Sequence, residues 1–167
     1  MGDVHYVPSG TSTVTKTGTT NASNTTASIA LFRVTGDILV KKLYGVVTTA
    51  LSSNHTAAHF RMNDGTNTPA ITLATGTTLS SFGVGTLISK IAQVDVALTG
   101  TRSDQTRVVE APLDNLTVHN EFAIVQKAST NSDVEYRYST TNTPATGAIQ
   151  FFMEYEPLSA NGSVTVL

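Results

Sequence analysis

The sequence contains no cysteine, and this excludes several kinds of chemistry at once. The chain can form neither disulfides nor zinc–thiolate sites, and it has no thiol nucleophile. Charged side chains are also scarce, at 13% of the 167 residues, about half the usual share. With a formal net charge of −2, the chain lacks the excess of Lys and Arg that neutralises phosphates. We therefore expect no nucleic-acid partner, and any extra stability has to come from packing or from assembly.

Long hydrophobic runs are missing as well. No stretch approaches the roughly 20 consecutive apolar residues of a membrane-spanning helix. The N-terminal stretch MGDVHYVPSG contains neither the basic region nor the apolar core of an export signal. We therefore expect a protein that is made in the cytoplasm and kept soluble, without Sec-type export and without a membrane partner.

Threonine, serine and asparagine take the place of the missing charges. Threonine is β-branched and tolerates an extended backbone well. Short apolar stretches recur at the spacing of roughly 8 to 12 residues that is typical of β-sandwiches. A chain of 167 residues is long enough to bury a core of its own as one domain. The sequence therefore predicts an all-β protein with a single antiparallel β-sandwich domain.

The predicted sandwich domain covers residues 28–167, and a polar, Thr-rich segment covers residues 1–27. This first segment begins with a possible short strand, Asp3 to Val7, which Pro8-Ser9-Gly10 would end. The tract that follows, TSTVTKTGTTNASNTTA, is compatible with an extended arm or edge strand and also with a mobile linker. Val14 and the alternation around it favour the extended arm or edge strand.

The most apolar continuous stretch runs from Ser28 to Leu51, and Thr35-Gly36-Asp37 divides it into two predicted strands. Alternate side chains of a strand point to opposite faces, and here both faces are largely apolar. Such strands are expected where one face meets the core and the other meets a second subunit or a covering loop, which favours an oligomer. The predicted faces are Ala30, Phe32 and Val34 against Ile29, Leu31 and Arg33 in the first strand, and Ile38, Val40, Tyr44 and Val46 against Leu39, Leu43 and Val47 in the second.

The remaining predicted elements are short. Asn63-Asp64-Gly65 favours a tight hairpin turn. Thr86 to Leu98 fits either a short helix or a strand. The other predicted strands are Ala58 to Met62, Pro69 to Ala74, Thr106 to Ala111, Phe122 to Lys127, Val134 to Ser139, Gly147 to Tyr155 and Ser163 to Leu167.

Candidate catalytic or metal-binding residues are few. His55 and His59 could share a metal ion, but a third ligand would have to come from elsewhere, and a loop with solvated histidines is the favoured interpretation. Glu154 and Glu156 share a strand face and are interpreted as a solvated strand end rather than as an acid–base pair. No G-x-S-x-G nucleophile motif occurs. We therefore expect no enzyme activity, no catalytic residues, no metal site and no cofactor.

Four tyrosines are candidates for recognition, because tyrosine combines a large apolar ring with a polar hydroxyl. One interpretation is a carbohydrate-binding face, since the ring stacks on sugars. The favoured interpretation places them at the boundary of the core or at a subunit interface. These residues are Tyr44, Tyr136, Tyr138 and Tyr155.

Two segments carry a resemblance to a known family. The stretch ALFRVTGDILVKKLYGVVTTAL, within Ser28 to Leu51, resembles a segment that recurs in bacteriophage virion proteins. The closing stretch from Gly147 to Leu167, with its E-Y-E-P-L-S-A-N-G-S-V ending, resembles the companion C-terminal motif of the same proteins. Together these segments are similar to those of capsid decoration proteins, also called cement proteins.

The resemblance implies β-sandwich or jelly-roll subunits that assemble as homotrimers on the exterior of a phage head and stabilise it. It implies the major capsid protein lattice as partner and the virion as location, and it carries no catalytic residues. A tail, fibre or host-glycan-binding module of the virion is the alternative. The predicted capsid or subunit contacts are Val4, Tyr6, Val7, Tyr44, Tyr136 and Tyr138.

Overall fold

Two antiparallel sheets packed against each other form the part of the chain that the structure describes. The computed structural model describes residues 10–19, 27–52, 55–72, 78–89, 99–101, 121–126, 132–139 and 145–167, and within these ranges there are ten strands and no helix. In chain order the strands are β1 (Ser12–Thr19), β2 (Ala27–Thr35), β3 (Ile38–Thr49), β4 (Thr56–Asn63), β5 (Leu87–Ser89), β6 (Thr99–Thr101), β7 (Phe122–Ile124), β8 (Ser132–Ser139), β9 (Ala148–Pro157) and β10 (Ser163–Val166).

The larger sheet has the strand order β1-β9-β3-β5-β6, with β7 pairing with β3 as its sixth strand. The smaller sheet has the order β10-β2-β8-β4. Every ladder between named strands is antiparallel. The predicted all-β sandwich is therefore confirmed. Among the described residues, no helix is long and apolar enough to cross a membrane.

The core lies between the inner faces of the two sheets. Tyr136 on β8 and Phe151 on β9 meet across the interior with ring centroids 4.9 Å apart, and Phe60 on β4 approaches Phe151 edge-on. All three side chains are fully buried. Burying aromatic rings of this size contributes a large apolar area to folding. Other apolar side chains from both sheets complete the core: Phe32, Val34, Ile38, Val40, Leu43, Val47, Val134, Ile149 and Met153.

A bulge in β2 changes which side chains share a face. Regular pairing with β8 is interrupted between Ala30 and Phe32, so Leu31 is an additional residue. Ile29 lies opposite Tyr136, and Phe32 lies opposite Val134. Ile29 and Phe32 therefore both pack against the core, and the predicted alternation for this strand was wrong. An additional residue in one strand displaces the later side chains by one position.

β3 also contains a bulge. Its pairing with β9 shifts between Val40 and Lys42, so that Val40 and Leu43 both face the core. Tyr44 and Val46 then lie on the opposite, outer face. The predicted alternation, which placed Val40 and Tyr44 on one face, was wrong for the same reason.

The N-terminal tract contributes an edge strand. β1 pairs with β9 along its whole length, from Ser12 opposite Tyr155 to Thr19 opposite Ala148. This confirms the edge strand for residues 12–19. The predicted strands Asp3 to Val7 and Thr106 to Ala111 lie outside the described residues.

Two further predictions are resolved in part. Within Thr86 to Leu98, residues Leu87–Ser89 form a strand, and residues 90–98 lie outside the described ranges. The Asn63-Asp64-Gly65 turn is confirmed, since Gly65 has a φ of 82°. Pro69 to Ala74 was predicted as the return strand after this turn. In its described part, this segment forms a single β-bridge, between Ala70 and Arg61.

Candidate interaction surface

An aromatic pair lies on the outer face of the larger sheet. Tyr44 on β3 lies opposite Phe152 on the neighbouring strand β9. The two rings are stacked, with centroids 4.8 Å apart and planes 7° from parallel. Both side chains are half-buried. Tyr44 is therefore the one predicted contact residue that the structure describes on an outer sheet face.

Apolar and hydroxyl-bearing side chains surround this pair. Val46 follows Tyr44 on the same face of β3 and lies opposite Leu87 on β5. We call Tyr44, Val46, Leu87 and Phe152 the aromatic face. On its other side, Thr15 of β1 lies opposite Phe152 and is exposed. An aromatic and aliphatic centre next to a row of hydroxyls is the composition of a protein-contact surface rather than of a charged-ligand site.

Paired charges border the aromatic face at one end. The Lys42 ammonium lies 2.8 Å from Glu154 Oε2, and the hydrogen bond between these groups raises the pKa of Lys42. The Lys41 ammonium lies 3.0 Å from Glu121 and 3.7 Å from Glu156. Glu154 and Glu156 thus belong to a lysine–glutamate cluster at the strand end. This cluster presents both signs of charge together, so it would favour orientation of a partner over non-specific attraction.

Tyr136 and Tyr138 are not surface residues. They are 0% and 1% exposed, and both side chains point into the core from β8, which lies between β2 and β4. The prediction that these two rings form a capsid or subunit contact was therefore wrong for the folded subunit. Tyr155 is also buried, and its hydroxyl oxygen accepts a hydrogen bond from the backbone N–H of Val164 at 3.3 Å.

Val4, Tyr6 and Val7 lie outside the described residues. The described chain begins at Gly10, and β1 begins at Ser12 opposite Tyr155. The Thr11 hydroxyl donates a hydrogen bond to Glu156 Oε1 at 3.1 Å. The first described residues of the chain therefore lie beside the lysine–glutamate cluster.

The two histidines of the predicted loop are buried instead of solvated. His55 is fully buried and stacks on Tyr138, with centroids 4.4 Å apart. Its Nε2 forms a hydrogen bond with the Tyr136 hydroxyl, and its Nδ1 has no hydrogen-bond partner among the residues that the structure describes. Burial lowers the pKa of His55 to about 4. The interpretation as solvated histidines was wrong, because β4 begins at Thr56 and brings both rings into packed positions.

His59 is 8% exposed, and its Nδ1 lies 2.9 Å from the carbonyl oxygen of Ala57. Within the described ranges, no group of three His, Cys, Asp or Glu side chains could hold a metal ion.

The two segments that carry the family resemblance meet in space. The backbone N–H of Asp37 donates to Ser159 Oγ at 2.9 Å, and the N–H of Leu158 donates to the carbonyl of Asp37 at 2.8 Å. Gly36 has a φ of 66°, and a Cβ at this position would lie 2.6 Å from Asn161 Oδ1. We call this contact between Thr35-Gly36-Asp37 and residues 158–162 the turn junction. It was not predicted, although the Gly in one motif and the Ser and Asn in the other are typical turn residues.

Comparisons with protein-family models, with curated proteins and with solved structures find no match to this chain.

Proposed function

We propose that this protein is a structural virion protein that binds the outside of a phage major capsid protein lattice and stabilises the head. The observation that carries the proposal is the aromatic face: a stacked Tyr44 and Phe152 among half-buried aliphatic side chains on the outer face of the larger sheet. The resemblance of the two segments that meet at the turn junction supplies the lattice as the partner. Surfaces with aromatic and aliphatic side chains at their centre suit binding to another protein surface.

The mechanism is mass action. A subunit that binds only the assembled lattice lowers the free energy of that state by an amount set by its concentration and affinity. Three subunits joined as a homotrimer would bind as one multivalent unit, so a modest contact per subunit gives tight overall binding. The protein acts without catalysis or a cofactor in this proposal.

The N-terminal residues Val4, Tyr6 and Val7 are proposed as a second contact. They are apolar residues before a polar tract. Thr11, which follows them in the chain, donates a hydrogen bond to Glu156 of the lysine–glutamate cluster. A short apolar segment can add to the exposed sheet edge of a partner by extended backbone pairing.

The glycan-binding alternative rested on a face made of several tyrosines. Burial of Tyr136, Tyr138 and Tyr155 leaves only Tyr44 of the four candidates half-buried on an outer face. The aromatic face therefore favours a protein lattice over a sugar.

The test is co-sedimentation of the purified protein with empty heads that lack it, combined with its native mass from light scattering. The variants are Tyr44→Ser and Phe152→Ser, and the control is Val166→Ser, which removes a 47% exposed side chain from the other sheet. We expect the first two to lose head binding while the mass and the folded state are retained, and the control to bind normally. Normal binding by both aromatic-face variants, or a wild-type protein that does not bind heads, would contradict the proposal.

A further inference from the structure

A second feature lies on the opposite side of the molecule, on the outer face of the smaller sheet. There a cavity of about 260 Å³ is formed between β4, β8 and the segment after the Gly65 turn. Arg137, in the interior strand β8, lies opposite Ser28 on one side and His59 on the other. The residues that line the cavity are Ala57, His59, Arg61, Thr68, Ala70, Arg137 and Ser139.

The charges around this cavity are not balanced. Glu135 is the acidic group nearest in the ladder, but its Oε2 is held by Arg61 at 2.7 Å and its Oε1 accepts from Asn63 Nδ2 at 2.8 Å. Arg61 also donates to the Ser28 hydroxyl at 3.0 Å. Within the described part of the chain, the Arg137 guanidinium has no ion pair and no hydrogen-bond partner. One arginine charge therefore faces the cavity without compensation, in a protein whose net charge is −2.

His59 adds a second polar group at the same place. A carbonyl oxygen can only accept, so the contact with Ala57 requires that Nδ1 carries a proton and donates it. The Nε2 atom is then the ring nitrogen left for another partner. Burial is the main cause that lowers the pKa of His59, and the positive charges of Arg137 and Arg61 lower it further. A bound anion would oppose these charges and stabilise a protonated ring that donates from Nε2.

We propose that this cavity is an anion site that binds a carboxylate, with Arg137 and His59 as its ligands. A guanidinium offers two parallel N–H groups that match the two oxygens of a carboxylate. One uncompensated positive charge matches a monoanion. A phosphate dianion would bring a second negative charge close to Glu135. The proposal does not depend on the proposed function, because it concerns the other sheet and a small ligand.

The experiment is a titration of the full-length, ¹⁵N-labelled protein with sodium acetate, followed by the ring nitrogen signals of His59 in NMR spectra. Sodium chloride keeps the ionic strength constant. We expect a saturable shift of the His59 Nε2 signal and a rise in the pKa of His59 when acetate is bound. The loss of a charge-assisted hydrogen bond is expected to weaken acetate binding by about tenfold or more in Arg137→Gln.

Two further variants keep the test decisive. Arg33→Gln makes the same charge change on the same sheet, but Arg33 is already paired with Asp133 at 2.8 Å, so acetate binding should remain as in the wild type. Arg137→Lys keeps the charge without the planar fork and should bind acetate more weakly than wild type, even if Arg137→Gln fails to fold. The proposal would be overturned by equal acetate affinity in Arg137→Lys and wild type, by the same shifts with chloride alone, or by tighter binding of inorganic phosphate.

Discussion

Asp37 and Ser159 are 122 positions apart in the sequence and are joined by a backbone-to-hydroxyl hydrogen bond of 2.9 Å. One belongs to the T-G-D turn and the other to the P-L-S-A-N-G turn, the two motifs that carry the family resemblance. Each of the two turns connects one sheet to the other. The hydrogen bond between the turns therefore holds the two connections together within one molecule. The resemblance therefore bears first on the fold, and the partner surface that we propose is a different one, the aromatic face.

The turn junction predicts unequal effects of two glycine substitutions. Gly36→Ala places a Cβ 2.6 Å from Asn161 Oδ1 and 2.8 Å from Ser159 Oγ, in a backbone with positive φ. Gly65→Ala has a similar φ of 82° but open space around the new Cβ. The positive φ costs each variant roughly 1–2 kcal/mol, and crowding at Gly36 adds about 1–3 kcal/mol. Urea unfolding of both variants measures the difference, and equal losses would show that the junction tolerates a methyl group.

Stability is predicted to fall below neutral pH because of His55. Its pKa is about 4 in the folded protein and near 6.5 when unfolded, so the unfolded state binds the proton first as the pH falls. The stabilising contribution is complete above pH 6.5 and is lost progressively down to about pH 4, with a loss of about 3 kcal/mol. The neighbours of the ring are the neutral Tyr136 and Tyr138, which offer no counter-charge.

Unfolding free energies at several pH values between 4 and 7 provide the measurement for this prediction. His55→Phe keeps an aromatic ring on Tyr138 but cannot be protonated, so most of the pH dependence should disappear. A smaller dependence of the same sign should remain from His59, whose pKa is also lowered by burial. An unchanged pH dependence in His55→Phe would assign the effect to other groups.

Two ion pairs are predicted to differ in their importance for stability. Glu135 and Arg61 have side chains only 9% and 12% exposed, so Glu135→Gln leaves an arginine in a largely buried position without its counter-charge. The expected loss is roughly 3 kcal/mol. Glu154 pairs with Lys42, whose side chain is 63% exposed, and solvent screening should limit the loss in Glu154→Gln to less than about 1 kcal/mol. Thermal melting of both variants tests this order, and a larger loss in Glu154→Gln would refute it.

Deletion of residues 1–10 is predicted to weaken head binding without unfolding the domain. The removed segment ends before β1, whose ladder with β9 begins at Ser12. Co-sedimentation with empty heads gives the first readout, and the melting temperature gives the second. Unchanged head occupancy would remove Val4, Tyr6 and Val7 from the proposed contact.

The sequence predicted the strands better than it predicted their faces. The elements β3, β8 and β9 follow from β-branched and aromatic alternation. The bulges at Leu31 and Lys41 leave no local signal, because an additional residue in a strand is revealed only by the partner that it fails to pair with. The burial of His55 was hidden for a related reason: its environment is formed by Tyr136 and Tyr138, which lie about 80 positions away in the chain.

The candidate site was predicted only in part. Tyr44 is on an outer face, as a contact residue requires. Phe152, the ring that stacks on it, belongs to a strand that is far away in the sequence, and it was not predicted as a contact residue. Tyr136 and Tyr138 alternate as predicted, yet alternation alone cannot tell which face of an interior strand is the buried one.

The strand order also determines when the sheets can form during synthesis of the chain. β1 pairs only with β9, and β2 pairs only with β8 and β10 among the described strands. A growing chain therefore exposes its first two strands long before their partners have been translated, and the sheets can close only when the last third is available. β1 is rich in threonine and only weakly apolar. This composition limits aggregation during synthesis, because a more hydrophobic unpaired strand would pair with the same strand of another chain.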